Sequence, residues 1–161
     1  MKPKPKGRND GHKFDYSQIT EQIYIGSDLC MGNVCPIHNE DFKQLGVCVE
    51  INLTAEKKET PPNDIDSYTW MPVVDGYPPN PTQLDMGTAI MNEAISNEKT
   101  VYIHCKNGHG RSPTLVAAYL IRCKGMGVEE AEKAINGKRS EIHIEDTQLE
   151  ALRKFKEKWS K

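Results

Sequence analysis

The chain has 161 residues, a length that suits one domain with a single sizeable core. Its 21 basic and 23 acidic residues leave a formal net charge of −2 at pH 7, which gives no global attraction to nucleic acid or to a membrane surface. The longest apolar run, Val116 to Ile121, falls far short of the ~20 residues that span a bilayer.

Residues 1–15 are expected to be a basic arm. From Met1 to Lys13, Lys2, Lys4, Lys6, Arg8 and Lys13 stand against one acid, Asp10, and Pro3 and Pro5 favour an extended, disordered chain. A solvated tail is the simplest reading of it, ahead of a ligand-binding arm. The basic start runs into Asn9, Asp10 and His12 and not into an apolar stretch, so no signal peptide is read and the expected location is the cytoplasm. The five cysteines, at 30, 35, 48, 105 and 123, are odd in number and fit a reducing compartment. Cys30, Cys35 and His38 match no usual zinc spacing and lack a second ligand pair, so no metal site is expected.

Residues 16–161 make the expected domain. Gln22 to Ile25 reads as a short strand ended by Gly26-Ser27. Asn39 to Leu45 reads as a short helix stopped by Gly46. Val47 to Leu53 alternates and is β-branched, a strand. Ala55 to Asp66, with Pro61-Pro62, is a loop, and Tyr68 to Val74 is strand-like again. Asp75 to Pro81 is a proline-stiffened loop, and Thr82 is placed as N-cap of a helix carrying Leu84, Met91 and Ile95. Thr100 to His104 is a short apolar strand. A helix then runs from just after Arg111 to Lys124, capped by Gly125, and another from Val128 to Asn136. Thr147-Gln148-Leu149-Glu150 suggests a capping box, and Leu149, Leu152, Phe155 and Trp159 recur at helical spacing as a core stripe. Strands early and helices late imply an α/β domain, a small central sheet flanked by helices.

The chemistry concentrates in His104-Cys105-Lys106-Asn107-Gly108-His109-Gly110-Arg111-Ser112. A cysteine between a strand and a helix, followed by two glycines, can sit at the floor of a cradle of backbone N–H groups. The helix N-terminus adds positive potential, and Arg111 can hold two phosphate oxygens at once. The same field lowers the Cys105 pKa and makes it a thiolate nucleophile toward phosphorus. Lys106, Asn107, Gly108, His109, Gly110 and Arg111 are therefore the expected phosphate-binding residues. Ser112 is expected to assist thiolate departure, and His104 to orient the loop from beneath. The other cysteines read as packing residues, with Cys48 a weak candidate redox partner of Cys105.

The loop resembles the Cys-x5-Arg signature of the protein tyrosine phosphatase superfamily, and its Arg-Ser ending resembles the small, atypical dual-specificity branch. Ile23-Tyr24-Ile25-Gly26-Ser27, the Asn52-Leu53 strand end and the helical stretch from Ala131 through Gln148-Leu149 also resemble that family. The likeness spans residues 18–158. It implies a central mixed sheet with the signature loop at its edge and helices on both faces. It also implies a general acid from a separate loop, and no cofactor. Asp75 fills that role best, in Pro72-Val73-Val74-Asp75-Gly76-Tyr77-Pro78-Pro79, although two valines separate it from Pro72. Asp85, in a helix, competes; Asp64 and Asp66 lie before the strand. Low-molecular-weight phosphatases and arsenate reductases place loop and acid in the opposite order, and rhodaneses lack the acid.

The implied substrate is a phosphorylated protein or peptide, on phosphotyrosine and on phosphoserine or phosphothreonine. Lys106 and His109 would add positive charge to the loop rim, as in phosphoinositide phosphatases. Tyr102 to Lys106, Val116 to Ile121 and Arg139-Ser140-x-Ile142-His143-Ile144 resemble the mitochondrial phosphatidylglycerophosphate phosphatases. A phospholipid or inositol phosphate is thus the alternative substrate. A catalytically silent phosphate-binding module is disfavoured because Cys105, Arg111 and Asp75 are all present.

Overall fold

The structure is a computed structural model that describes residues 15–27, 40–56 and 59–160. Cys30, Cys35 and His38, and the arm up to residue 14, lie outside the described residues. Five strands form one sheet in the order β1-β2-β5-β3-β4. They are β1 (Tyr16–Thr20), β2 (Ile23–Ser27), β3 (Val47–Thr54), β4 (Ser67–Val73) and β5 (Thr100–Cys105). β1 runs antiparallel to β2, and the other pairings are parallel, so the sheet is mixed as expected. The middle strand is β5. Its C-terminal end therefore opens at the centre of the sheet's C-terminal edge, and the signature loop leaves from there.

Alternation along the strands sorts side chains to two faces. Ile23, Ile25, Val49, Ile51, Val101 and Ile103 belong to the main core, against α2 (Pro81–Ser96), α3 (Arg111–Lys124), α4 (Val128–Asn136) and α5 (Asp146–Trp159). Tyr24 and Tyr102 face the other side, where α1 (Glu40–Gln44) delivers Phe42 against the Tyr102 ring at 4.6 Å. Helices thus cover both faces. Ten of the eleven buried residues of α3 lie beyond Arg111, and that helix packs on β5, α2, α4 and α5. It is the central helix, apolar nearly all round as a buried helix should be.

Three readings shift. β1 escaped the sequence pattern. α2 starts at Pro81, not after Thr82: Asn80 is the N-cap, its side chain accepting the Gln83 amide N–H at 2.8 Å while Gln83 Oε1 accepts the Asn80 N–H at 2.9 Å. α5 begins at Asp146, with Glu145 as N-cap. Of the expected stripe, Leu152 and Phe155 are buried, Leu149 is partly buried, and Trp159 is 38% exposed. Trp159 is instead a platform for the Arg122 guanidinium, 3.8 Å from the ring centroid. Among the described residues no helix is long and apolar enough to cross a membrane.

Candidate active site

Cys105 ends β5 and is 3% exposed. Its Sγ lies 3.3 Å from the Ser112 hydroxyl. Burial pushes the thiol up, but the Arg111 charge, the Ser112 hydroxyl and the backbone amides of Ser112 and Gly108 outweigh it and hold the thiol below its ordinary value. The loop turns at Gly108, where φ is +71°. A Cβ there would lie 2.7 Å from the Gly26 backbone of β2, so both backbone conformation and space demand glycine. Gly110 is different. Its φ of −132° suits any residue; space there is snug, since a Cβ would meet the His143 carbonyl at 3.3 Å and the Gln148 amide at 3.4 Å.

Arg111 opens α3 and is 1% exposed. Nη1 donates to Glu56 Oε1 at 2.5 Å and to the Val73 carbonyl at 2.7 Å, and Nη2 donates to Glu56 Oε2 at 3.1 Å. Burial opposes its charge; Glu56 and the Cys105 thiolate more than restore it. Nε is buried and has no hydrogen-bond partner among the described residues. Asp75 Oδ1 approaches it to 3.7 Å. A buried, unmatched cationic N–H beside a thiolate is a costly arrangement by itself, and it suits an incoming phosphate oxygen. Asp75, 70% exposed, stands in the loop after β4.

The structure therefore brings Cys105, Ser112, Arg111 and Asp75 to one place. It takes the competing acids elsewhere. Asp85 pairs with Lys158 at the α2–α5 contact. Asp64 pairs with Lys43 and Asp66 with Lys99, each at 3.4 Å, and Asp66 lies at the opposite end of the sheet, where its N–H meets the Cys48 carbonyl. Cys48 sits there too, next to the Val47–Thr100 register. Five residues of parallel strand separate that level from Cys105, roughly 16 Å at 3.3 Å per residue. Cys48 is thus out of reach as a direct disulfide partner. Burial, and a hydrogen bond to Asp66, raise its pKa.

On the rim, Lys106 is exposed, but His109 is half-buried and burial, with the Arg139 charge, pushes it toward the neutral form. Its share of positive charge on the rim is thereby reduced. Asn107 and Gly108 offer their carbonyls backward to Arg139, which donates Nη2 to Asn107 O and Nε to Gly108 O, each at 2.9 Å. Arg139 also pairs with Asp15 at 2.9 Å and reaches Ser17 Oγ at 3.0 Å. Asp15, counted with the arm in the sequence, is thereby fastened to the loop.

His104 points to the opposite sheet face and is fully buried. Its Nε2 lies 2.7 Å from Glu50 Oε1 and 3.0 Å from Glu59 Oε1. Burial alone would push the imidazole down; the two carboxylates outweigh it and raise it to about 10. Candidate ligand atoms of these three residues lie within 4.8 Å of one another, a spacing that would accept a metal ion. Imidazolium, however, has no lone pair to offer a metal, and the triad is read as an ion-paired support under the loop.

Sequence reasoning missed Glu56, Glu59, Glu50 and Arg139 as partners. Glu56 had one local signal: it follows Asn52-Leu53-Thr54, where Asn52 Oδ1 accepts the Thr54 N–H at 2.8 Å and its hydroxyl at 2.6 Å, turning the chain out of β3.

Residues 23–158 match the model of the dual specificity phosphatase catalytic domain. The human "Phosphatidylglycerophosphatase and protein-tyrosine phosphatase 1" is 43% identical over 77 residues, 48% of this chain and 38% of that protein, so this chain matches well under half of that relative's length. The Arabidopsis thaliana "Dual specificity protein phosphatase 1B" is 28% identical over 88% of this chain and 81% of that protein. A solved structure of PTPMT1 in complex with PI(5)P is 25% identical and covers 90% of this chain and 96% of that one, with a TM-score of 0.74.

Proposed function

Given that this chain belongs to the dual specificity phosphatase family and is a phosphatase of its cysteine type, we propose that it hydrolyses phosphomonoesters through a cysteinyl-phosphate formed on Cys105. The observation that carries this is the buried Cys105, its thiol held below the ordinary value by Arg111 and by the Ser112 hydroxyl 3.3 Å from the sulfur, with Asp75 3.7 Å from the unmatched Arg111 Nε. Substrate phosphate sits in the loop with oxygens on Arg111 and the loop amides. The thiolate attacks phosphorus in line, the P–O ester bond breaks, and Asp75 gives its proton to the leaving oxygen. Water then attacks the cysteinyl-phosphate, and Asp75 takes a proton from it. Ser112, 3.3 Å from the sulfur, donates a hydrogen bond to the departing thiolate. Charge stabilisation comes from Arg111 and the amides, so no metal or cofactor takes part.

Cys105→Ser should abolish turnover of an aryl phosphate while orthovanadate still binds. Undiminished turnover would sink the reading. Asp75→Ala should lower kcat by about 10² for a phosphotyrosine substrate and much less for an activated aryl phosphate.

For substrate, we place a glycerophospholipid phosphate of the phosphatidylglycerophosphate kind first. Support comes from the 43% identity to a human protein bearing that activity in its name, and from a neighbour solved with PI(5)P. The phosphoprotein reading stands second, supported by the longer match to the Arabidopsis protein phosphatase. Rates measured side by side on phosphatidylglycerophosphate, phosphoinositides, phosphotyrosine peptide and phosphoserine peptide decide between them. A kcat/KM roughly tenfold higher on either peptide would reverse the order.

A further inference from the structure

We infer that Thr147 and Gln148, in the first turn of α5, are positioning residues that hold the Asp75 loop over the phosphate cradle. This rests on the reading of Asp75 as general acid. Asp75 is 70% exposed, and among the described residues its carboxylate accepts no hydrogen bond and has Arg111 Nε as its ion-pair partner at 3.7 Å. Its placement is therefore a property of the backbone around it. That backbone is gripped on both sides. Before Asp75, the Val73 carbonyl accepts from Arg111 Nη1 at 2.7 Å. After it, the next two carbonyls are both taken by α5: Thr147 Oγ1 donates to Gly76 O and Gln148 Nε2 donates to Tyr77 O, each at 3.1 Å. Between the grips the chain makes a tight turn, with Tyr77 N–H on Val74 O at 3.0 Å and Gly76 at a φ of +88°.

Gln148 is suited to this work because its own orientation has no slack. It is 1% exposed. Its Oε1 accepts the Glu145 N–H at 2.8 Å, which leaves the amide nitrogen as the only atom able to meet Tyr77 O. The same side-chain amide lies 3.4 Å from where a Cβ of Gly110 would be. One buried side chain thus spans the gap between the acid loop and the nucleophile loop. Proton transfer in the transition state depends on such registration to a fraction of an ångström.

The test uses aryl phosphates of graded leaving-group basicity. Gln148→Glu keeps an acceptor for the Glu145 N–H, as capping-box glutamates do, but cannot donate to Tyr77 O. Thr147→Val keeps shape and loses the hydroxyl; Thr147 is exposed, so folding is not at stake. Both should lower kcat about five- to tenfold on the most basic leaving group and little on the most activated, with KM nearly constant. Thr147→Ser should restore wild-type behaviour. Equal loss on every leaving group, or none, in both variants while Asp75→Ala does steepen the dependence would overturn the inference alone. If Asp75→Ala leaves the dependence unchanged, Asp75 is not the acid, and the inference falls with that reading.

Discussion

Arg111 has its two Nη atoms on Glu56 and its Nε free toward the cradle. The carboxylate fork sets the guanidinium plane before substrate arrives, which reduces the ordering that binding must supply. Glu56→Gln leaves one donor poorly matched, and kcat/KM should fall about tenfold in steady-state assays with stability little changed. Cys105 reports on the same charge. Its thiol is held below the ordinary value chiefly by Arg111 against burial. The rate of alkylation by iodoacetamide should therefore rise with pH through a midpoint below that of a free thiol. Arg111→Met should move that midpoint upward.

At the scale of single elements, β5 carries opposite duties on its two faces. Val101, Ile103 and Cys105 belong to the main core, while Tyr102 and His104 belong to the other side. The ring of Tyr102 stacks near that of His104 at 5.4 Å, and Glu59 ties the chain after β3 to this strand. His104 has a folded-state value of about 10 against an ordinary 6.5, so the folded state holds this proton where the unfolded chain releases it. The stabilisation is full below pH 6.5 and is lost as pH rises toward 10. Thermal melts across that window should show Tm falling with pH, with a shallower slope in His104→Gln. Elements with strong periodicity or a glycine stop were legible from sequence: β3, α4, and α3 with Gly125 in the left-handed conformation. β1 was not, because an edge strand reading Tyr-Ser-Gln-Ile-Thr carries one buried residue, Ile19. The starts of α2 and α5 were each misplaced by two residues because two polar residues competed at each. Asn80 won over Thr82 because Pro81 suits the first helical position.

Over the whole molecule, the site is assembled from segments far apart in the chain. Cys105 and its loop were readable because their spacing is local. Glu56, Glu59 and Arg139 reach the loop across the fold, and their pairing depends on strand order, which no local pattern encodes. The register of β3 against β5 places Cys48 at the far end of the sheet from Cys105. Peroxide inactivation, and its reversal by thiol, should proceed at the same rate in Cys48→Ser as in wild type. EDTA should leave the activity of the purified protein unchanged, since the proposed mechanism draws its positive charge at phosphorus from Arg111 and the loop amides.

A Cβ on Gly108 would lie 2.7 Å from the Gly26 backbone, while one on Gly26 would run into Tyr102 Oη and, at 2.6 Å, the Asp15 carbonyl, so each position excludes a side chain for its own reason. The phosphate loop is in effect a two-part casting, with its mould in the neighbouring strand. Grafting residues 104–112 onto another scaffold will reproduce the cradle only if residue 108 stays glycine and the adjacent strand's backbone lies at the same level against it. A saturation library of this protein should likewise return glycine alone at both positions, with no second substitution able to relieve the first.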